Sequence, residues 1–444
     1  MTSSSYGRPV YGTLLVASVR ELGGDVANLQ WLRLASVVLL GLLGIALMRL
    51  LQRSGWSATD SAVVGLAVAL LPAAQVTVGW SIAWPIALAL LLALGGFGAT
   101  DMALRRHGWP RVAVWGAAFA AYLVAGFIYQ PSALFFVVPL AAALLLTRDS
   151  ARDRLIRSAA HVATAIGALA TGFVAMKIAF ALGVRQSGVM GLETDPLAKL
   201  AWFISTPVAN SLGLFALRDR FDTPVRFWVS VLLVTALIYA GFRLRTNRDS
   251  VDKWTALACL FVLPLVAFAV NLAAALRVPS YRTTYGLAGL VVLFVVYALR
   301  NLRTAGRIGP KVHHAALGVM LVVGAVAANR HAFMLIAQPQ GREWQMVLDA
   351  VLPMKLKPET KVYMVQTTIE HRSTERTFAD EFGSLSSDTD WAATEMFKCA
   401  LRRRFPSGLP AGFTYTLDAG LNAPRHGKFD LVIDMRKLQR YRTD

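Results

Sequence analysis

The sequence predicts an all-α polytopic membrane protein of about ten transmembrane helices, followed by a small extracytoplasmic α/β domain. Three observations carry that prediction. Apolar stretches of roughly bilayer length recur between residues 31 and 337, arginine-rich connections alternate with uncharged ones, and no spanning run follows residue 337. This divides the chain into an external surface segment (1–30), a membrane region (31–337) and a soluble domain (338–444).

In chain order the stretches are 31–51, 62–80, 83–103, 112–130, 132–147, 158–182, 226–243, 254–276, 284–299 and 315–337. Connections that would share one side contain Arg49 and Arg53; Arg105, Arg106 and Arg111; Arg148, Arg152, Arg154 and Arg157; Arg243, Arg245, Arg248 and Lys253; and Arg300, Arg303, Arg307 and Lys311. The turns at 80–83 and 130–132 carry no charge, so the positive-inside rule places the basic series in the cytoplasm and both termini outside. A first span running inward normally follows an earlier span or signal. Within 1–30 only 10–19 is apolar, too short to cross, so either the segment is translocated unaided or the chain begins inside a longer ancestral architecture with a truncated amino terminus, and the second is the expectation.

Hydrophobic residues make up 56% and charged residues 16%, well below the usual charged quarter of soluble domains. The formal net charge of +19 does not point to nucleic acid, because the basic residues sit in short loops beside spans, where they set topology and meet anionic lipid. Cys259 and Cys399 make neither a disulfide framework nor a metal-ligand spacing, and His313 and His314 read as interfacial. No phosphate loop, nucleophile elbow or zinc motif is present.

The run Gly7-Arg8-Pro9 leads into an aliphatic helix and a first span; later come the Trp80-Ser81-Ile82-Ala83-Trp84-Pro85 and Ile128-Tyr129-Gln130-Pro131 turns. Together they resemble the GT-C membrane glycosyltransferases, in particular their bacterial O-antigen glucosyltransferase branch, over about residues 6–300. The resemblance implies a site at the outer face of a cytoplasmic (inner) membrane, with Arg8, Tyr129 and Gln130 toward substrate. It implies a polyprenyl-phosphate sugar as donor, a cell-surface glycan or lipid-linked acceptor, and no cofactor, a divalent metal being left open. The family's acidic pair near the first external loop is absent before Arg8, a departure that bears on activity. A carrier or flippase of lipid-linked intermediates, or a non-catalytic partner subunit, are the alternatives.

Such a site must hold an anionic phosphate and orient or deprotonate an acceptor hydroxyl. Lys177, near the outer end of its span, is either functional or a snorkelling anchor. Arg277 and Arg282 break the rule that short outer loops lack positive charge; they suit phosphate binding, with Tyr281 stacking on a sugar, or head-group anchoring. Glu193 and Asp195, in the long external connection 183–224, are the remaining candidates for a catalytic base, against a capping role. In the soluble domain, helices at 342–352 and 388–404 and strands at 361–366, 412–417 and 429–434 are expected, with a loop at 377–387 that either binds glycan or packs.

Overall fold

The computed structural model describes residues 7–23, 28–184, 191–218, 224–244, 250–278, 280–355, 357–367, 382–388, 390–425 and 427–440. Two compact units emerge: Met1–Glu21, Gln30–Arg218 and Pro224–Ala328 form the first, and Leu22–Leu29, Asp219–Thr223 and Asn329–Asp444 the second. The last segment of the second unit begins at Asn329, inside the helical run Pro310–Val351, within which the sequence reading also draws its line at 338.

The first unit is helical: α1 (Pro9–Glu21), α2 (Leu29–Arg53), α3 (Ala58–Leu70), α4 (Pro72–Gly79), α5 (Trp84–Leu104), α6 (Trp109–Ala133), α7 (Val137–Leu146) and α8 (Ala151–Ala181). There follow α9 (Pro196–Phe203), α10 (Ala209–Leu212), α11 (Val225–Arg243), α12 (Ser250–Ala267), α13 (Ala269–Ala273), α14 (Tyr285–Thr304) and α15 (Pro310–His331). Among the described residues eight helical stretches are long and apolar enough to cross a membrane, or nine if α3 and α4, bent by 49° at Pro72, count as one.

That is fewer than the ten stretches of the sequence, and the main reason lies in α6. The run Trp109–Leu146 counts as one helical stretch, yet Tyr129 inside it is extended (φ −156°, ψ 104°) and Pro131 follows. Pro131 has no N–H to donate and its ring opposes the carbonyl of Phe127, so the helix cannot continue straight. The rings of Tyr122 and Phe136 lie 5.7 Å apart. A straight helix would hold those positions about 21 Å apart at 1.5 Å per residue, so the chain doubles back at the expected 130–132 turn.

Small residues let the helices approach. A Cβ on Gly65 would lie 2.5 Å from the Gly44 carbonyl oxygen, and one on Gly241 would lie 2.3 Å from Ala298 Cα. Backbone-to-backbone contact of this kind is how helices pack where no hydrophobic gain separates helix from lipid. Gly241→Ala is therefore expected to cost about 1–3 kcal/mol by overpacking α11 on α14. Gly95→Ala, where nothing lies within 4 Å, should be neutral. Thermal unfolding of the two variants in detergent checks this; equal midpoints would contradict it.

In the second unit, α16 (Gln338–Val351) precedes β1 (Glu359–Val365), α17 (Asp390–Arg404), β2 (Thr414–Gly420) and β3 (Leu431–Asp434). All pairings are parallel in the order β2-β1-β3, with Val362 opposite Leu417 and Leu431. Thr360, Val362 and Met364 of β1 are buried while Glu359 and Lys361 are exposed, the period-two pattern of a sheet covered on one face. Val347, Val351, Phe397 and Leu401 fill that layer. Of the expected 377–387 loop, 377–381 lie outside the described residues. Phe382 is buried, 5.9 Å from the His331 ring, and the Ser386 and Ser387 amides donate to Glu343, so the described part packs rather than offering a glycan surface.

Candidate functional site

The segment Gly7-Arg8-Pro9, the turn at Trp80 and the reversal at Tyr129 meet at one end of the first unit. Pro9 opens α1 with a preset φ, leaving Arg8 just outside the helix. Arg8 Nε donates to Gln130 Oε1 at 3.1 Å, while Gln130 Nε2 donates to the Gly7 carbonyl at 3.1 Å. One amide thereby grips the segment through both its polar atoms. The Arg8 guanidinium lies 4.6 Å from the centre of the Tyr129 ring, which the extended turn swings out of the helix path. Tyr11 Oη donates to the Ile82 carbonyl at 2.8 Å and Trp84 Nε1 to Ser18 Oγ at 3.2 Å, which seat α1 across the Trp80 turn.

Arg282 joins this cluster. Its guanidinium stands 4.4 Å from the Trp80 ring centre and Nε donates to Ser280 Oγ at 3.1 Å. Burial pushes the Arg8 guanidinium below its ordinary value; the charge of Arg282 adds to that, and Tyr129 and Tyr11 oppose it. No carboxylate is among the groups acting on Arg8. Two guanidiniums that raise each other's energy form a place where an anion is stabilised.

Below them runs an apolar groove of about 170 Å³ between α6 and α8, with Leu123, Phe127, Leu169, Phe173, Met176 and Phe180 in its walls. Gly7, Gln130, Lys177 and Leu192 also line it. Gly126 and Gly172 draw the two helices together: a Cβ on Gly126 would meet Leu169 at 2.9 Å. Lys177 is exposed, with its ammonium 5.5 Å from the Phe173 ring centre.

The other predicted residues are arranged differently. Arg277 is not beside Arg282 but donates to Glu193 with two nitrogens, at 3.1 and 3.0 Å. Glu193 Oε1 also accepts from the Thr194 and Asp195 amides, and Lys199 Nζ stands 3.8 Å from Oε2. The Asp195 amide, first of all, and then Arg277 hold the Glu193 carboxyl below the usual range. A depressed folded value means that the pair contributes stability above the unfolded carboxylate value and loses it as pH falls through the folded one. Protection of the Ala275 amide, which donates to the Gly191 carbonyl, is therefore expected to fall only in acid when its exchange rate is divided by that of an unstructured amide at the same pH; a fall in that protection on going from neutral to alkaline pH would reverse the sign. Asp195 Oδ1 caps α9 by accepting from Ala198 N at 3.0 Å.

Tyr281 does not offer a stacking surface: it is only 2% exposed, and its hydroxyl accepts from the Arg218 amide at 2.8 Å. The expected sugar-stacking role fails for that reason. Lys199, which the sequence reading passed over, is 2% exposed and donates to the carbonyls of Ala274 (2.6 Å) and Leu276 (2.9 Å). The signal for it was a single charge on the buried side of an otherwise apolar 197–204 helix. Trp80, quoted as part of a turn, is also the ring under Arg282. Among the described residues no group of three or more His, Cys, Asp or Glu side chains gathers to hold a metal.

Fold and site together define a multi-helix protein with helices apolar enough to cross a membrane, a two-arginine cluster joined through Gly7 and Gln130 to an apolar groove, and a small α/β unit. No protein-family model, no curated protein and no solved structure matches the chain.

Proposed function

We propose that the protein is a GT-C-like membrane glycosyltransferase working at the outer face of a bacterial cytoplasmic membrane, moving a sugar from a polyprenyl phosphate to a cell-surface glycan or lipid-linked acceptor. The observation that carries this reading is the Arg8–Arg282 cluster on aromatic rings, next to an apolar groove whose lining includes Gly7 and Gln130, the neighbours that Arg8 follows and bonds. Phosphate oxygens would lie against the two guanidiniums and the prenyl chain would follow the groove. As the acceptor oxygen attacks the anomeric carbon, the bond from that carbon to the phosphate oxygen breaks and negative charge grows on the phosphate, where fixed cations favour the transition state. The acceptor proton passes to a base. Of the two candidate acids, both Glu193 oxygens are engaged, whereas Asp195 uses Oδ1 alone among the described hydrogen bonds, so Asp195 is the better base.

Orientation is tested directly. Thr194→Cys should be labelled by an impermeant thiol reagent in intact cells and Thr304→Cys should not, both positions being exposed. The opposite result would put the site on the wrong side. A proton-coupled carrier is the second reading, favoured by the buried Asp60–His313 pair (3.0 Å) and by Asp101, part-buried between His161 (3.1 Å) and Arg157, at the ends of apolar helices, since ionisable groups in such helices often serve ion pathways. Reconstitution with radiolabelled polyprenyl-phosphate sugar separates the two: glycosylated product supports the enzyme, and lipid movement without product supports the carrier.

A further inference from the structure

We propose that residues 191–195 form a gate over the α6–α8 groove, latched at the tip by the Glu193–Arg277 pair and pivoting on buried Lys199. The inference rests on the reading of that groove as a lipid-chain site and concerns its regulation.

Leu192 lines the groove yet is 67% exposed, so it bounds the cavity from outside rather than belonging to the core. Its segment is attached thinly. A single antiparallel bridge joins Leu192 to Ala274, with Glu193 N donating to Ala273 O at 3.0 Å and Ala275 N to Gly191 O at 2.9 Å. Among the described residues no strand extends the ladder beyond that bridge.

The two ends of the segment are held with unequal strength. At the tip, the Arg277 side chain is 37% exposed while Glu193, also 3.8 Å from Lys199, is 10% exposed; the arginine is the wet side of the pair, where added salt competes for the charge. At the base, the Lys199 ammonium is out of solvent, bonded to two carbonyls and 4.7 Å from the Trp202 ring centre. Removing those bonds would strand a buried charge, so the base stays while the tip releases. The Asp195 cap keeps α9 intact beyond the pivot. Swinging the tip away removes Leu192 from the groove lining that includes Lys177, which opens a way in for a chain carrying an anionic head.

The geometry supplies its own lock. A Cβ on Gly191 would lie 3.4 Å from Ala275 Cβ, close to the 3.5–4.5 Å separation of disulfides. The test is Gly191→Cys with Ala275→Cys in the full chain, with Cys259→Ala and Cys399→Ser, reconstituted in phosphatidylglycerol vesicles. The probe is a phosphatidic acid bearing a diazirine in its chain, and the readout is the rate of photolabelling at Phe173 and Met176. Oxidation should slow labelling at least tenfold, and reduction should restore it. In the unlocked protein, Glu193→Gln or molar salt should speed labelling several-fold, and neither should do so in the locked one. Equal rates in oxidised and reduced protein would overturn the gate and leave the groove reading standing. Absence of groove labelling in both states would overturn the two together. Failure of the disulfide to form would also overturn the gate, because the closed state requires those two positions to touch.

Discussion

Arg282→Ala is expected to weaken binding of a polyprenyl-phosphate sugar by about ten- to a hundredfold while leaving folded yield near parental. Loss of one charge-assisted partner costs about 1.5–3 kcal/mol, and about 1.4 kcal/mol corresponds to a factor of ten. Fold loss should be small, because Arg282 sits in the short 281–284 turn and its contacts include the Trp80 ring and the Ser280 hydroxyl, both in turns rather than in the long helices. Arg8→Ala should weaken binding comparably. It should also loosen α1, since Gln130 would lose its acceptor role while keeping its bond to the Gly7 carbonyl. Arg282→Lys should recover part of the affinity, a point charge without the planar fork. Because the two guanidiniums act on each other, an anion relieves their repulsion, and affinity should fall with added salt. Donor affinity measured by equilibrium binding decides the matter: an unchanged value in Arg282→Ala returns that arginine to head-group anchoring.

Asp195→Asn is expected to reduce sugar transfer about a hundredfold or more, the usual scale of losing a general base, with donor binding retained. Asparagine caps a helix about as well as aspartate, so α9 should remain formed and the substitution isolates the proton-accepting function. Glu193→Gln is the informative companion. Its carboxylate is taken up by Arg277 and two amides, so its neutralisation should speed entry to the groove several-fold while changing the transfer step only modestly. Parental transfer in Asp195→Asn would make both acids structural and send the search for a base elsewhere. A parental protein that moves lipid-linked sugar without transferring it would end the glycosyltransferase reading altogether.

These expectations show how unevenly the site was legible. Arg8, Tyr129 and Gln130 were singled out one at a time, on short motifs, and they do meet, although Arg8 and Gln130 are 122 positions apart. Nothing local announces that meeting, because a hydrogen bond between distant positions leaves no periodic trace. Arg277 and Arg282 illustrate the converse: five residues apart, they were taken as one cationic feature, and the chain sends one to Glu193 and the other to Trp80. Tyr281 looked like an aromatic platform by residue type, but exposure belongs to the packed environment, and Arg218 occupies its hydroxyl.

What the sequence determined by itself was the class: long apolar helices, the alternation of basic and uncharged turns, and a mixed α/β unit at the carboxyl end. Those follow from chain-local quantities, the apolar length needed to span hydrocarbon and the spacing of side chains along helix and strand. Only the tertiary structure decided that the 109–146 stretch doubles back at Tyr129, that Lys199 anchors α9 to the Ala274 and Leu276 carbonyls, and that Glu193 is tied up while Asp195 uses Oδ1 alone among the described hydrogen bonds. In each case the deciding partner lies elsewhere in the chain, and which polar group satisfies which buried charge is settled by the three-dimensional packing of helices rather than by their own composition.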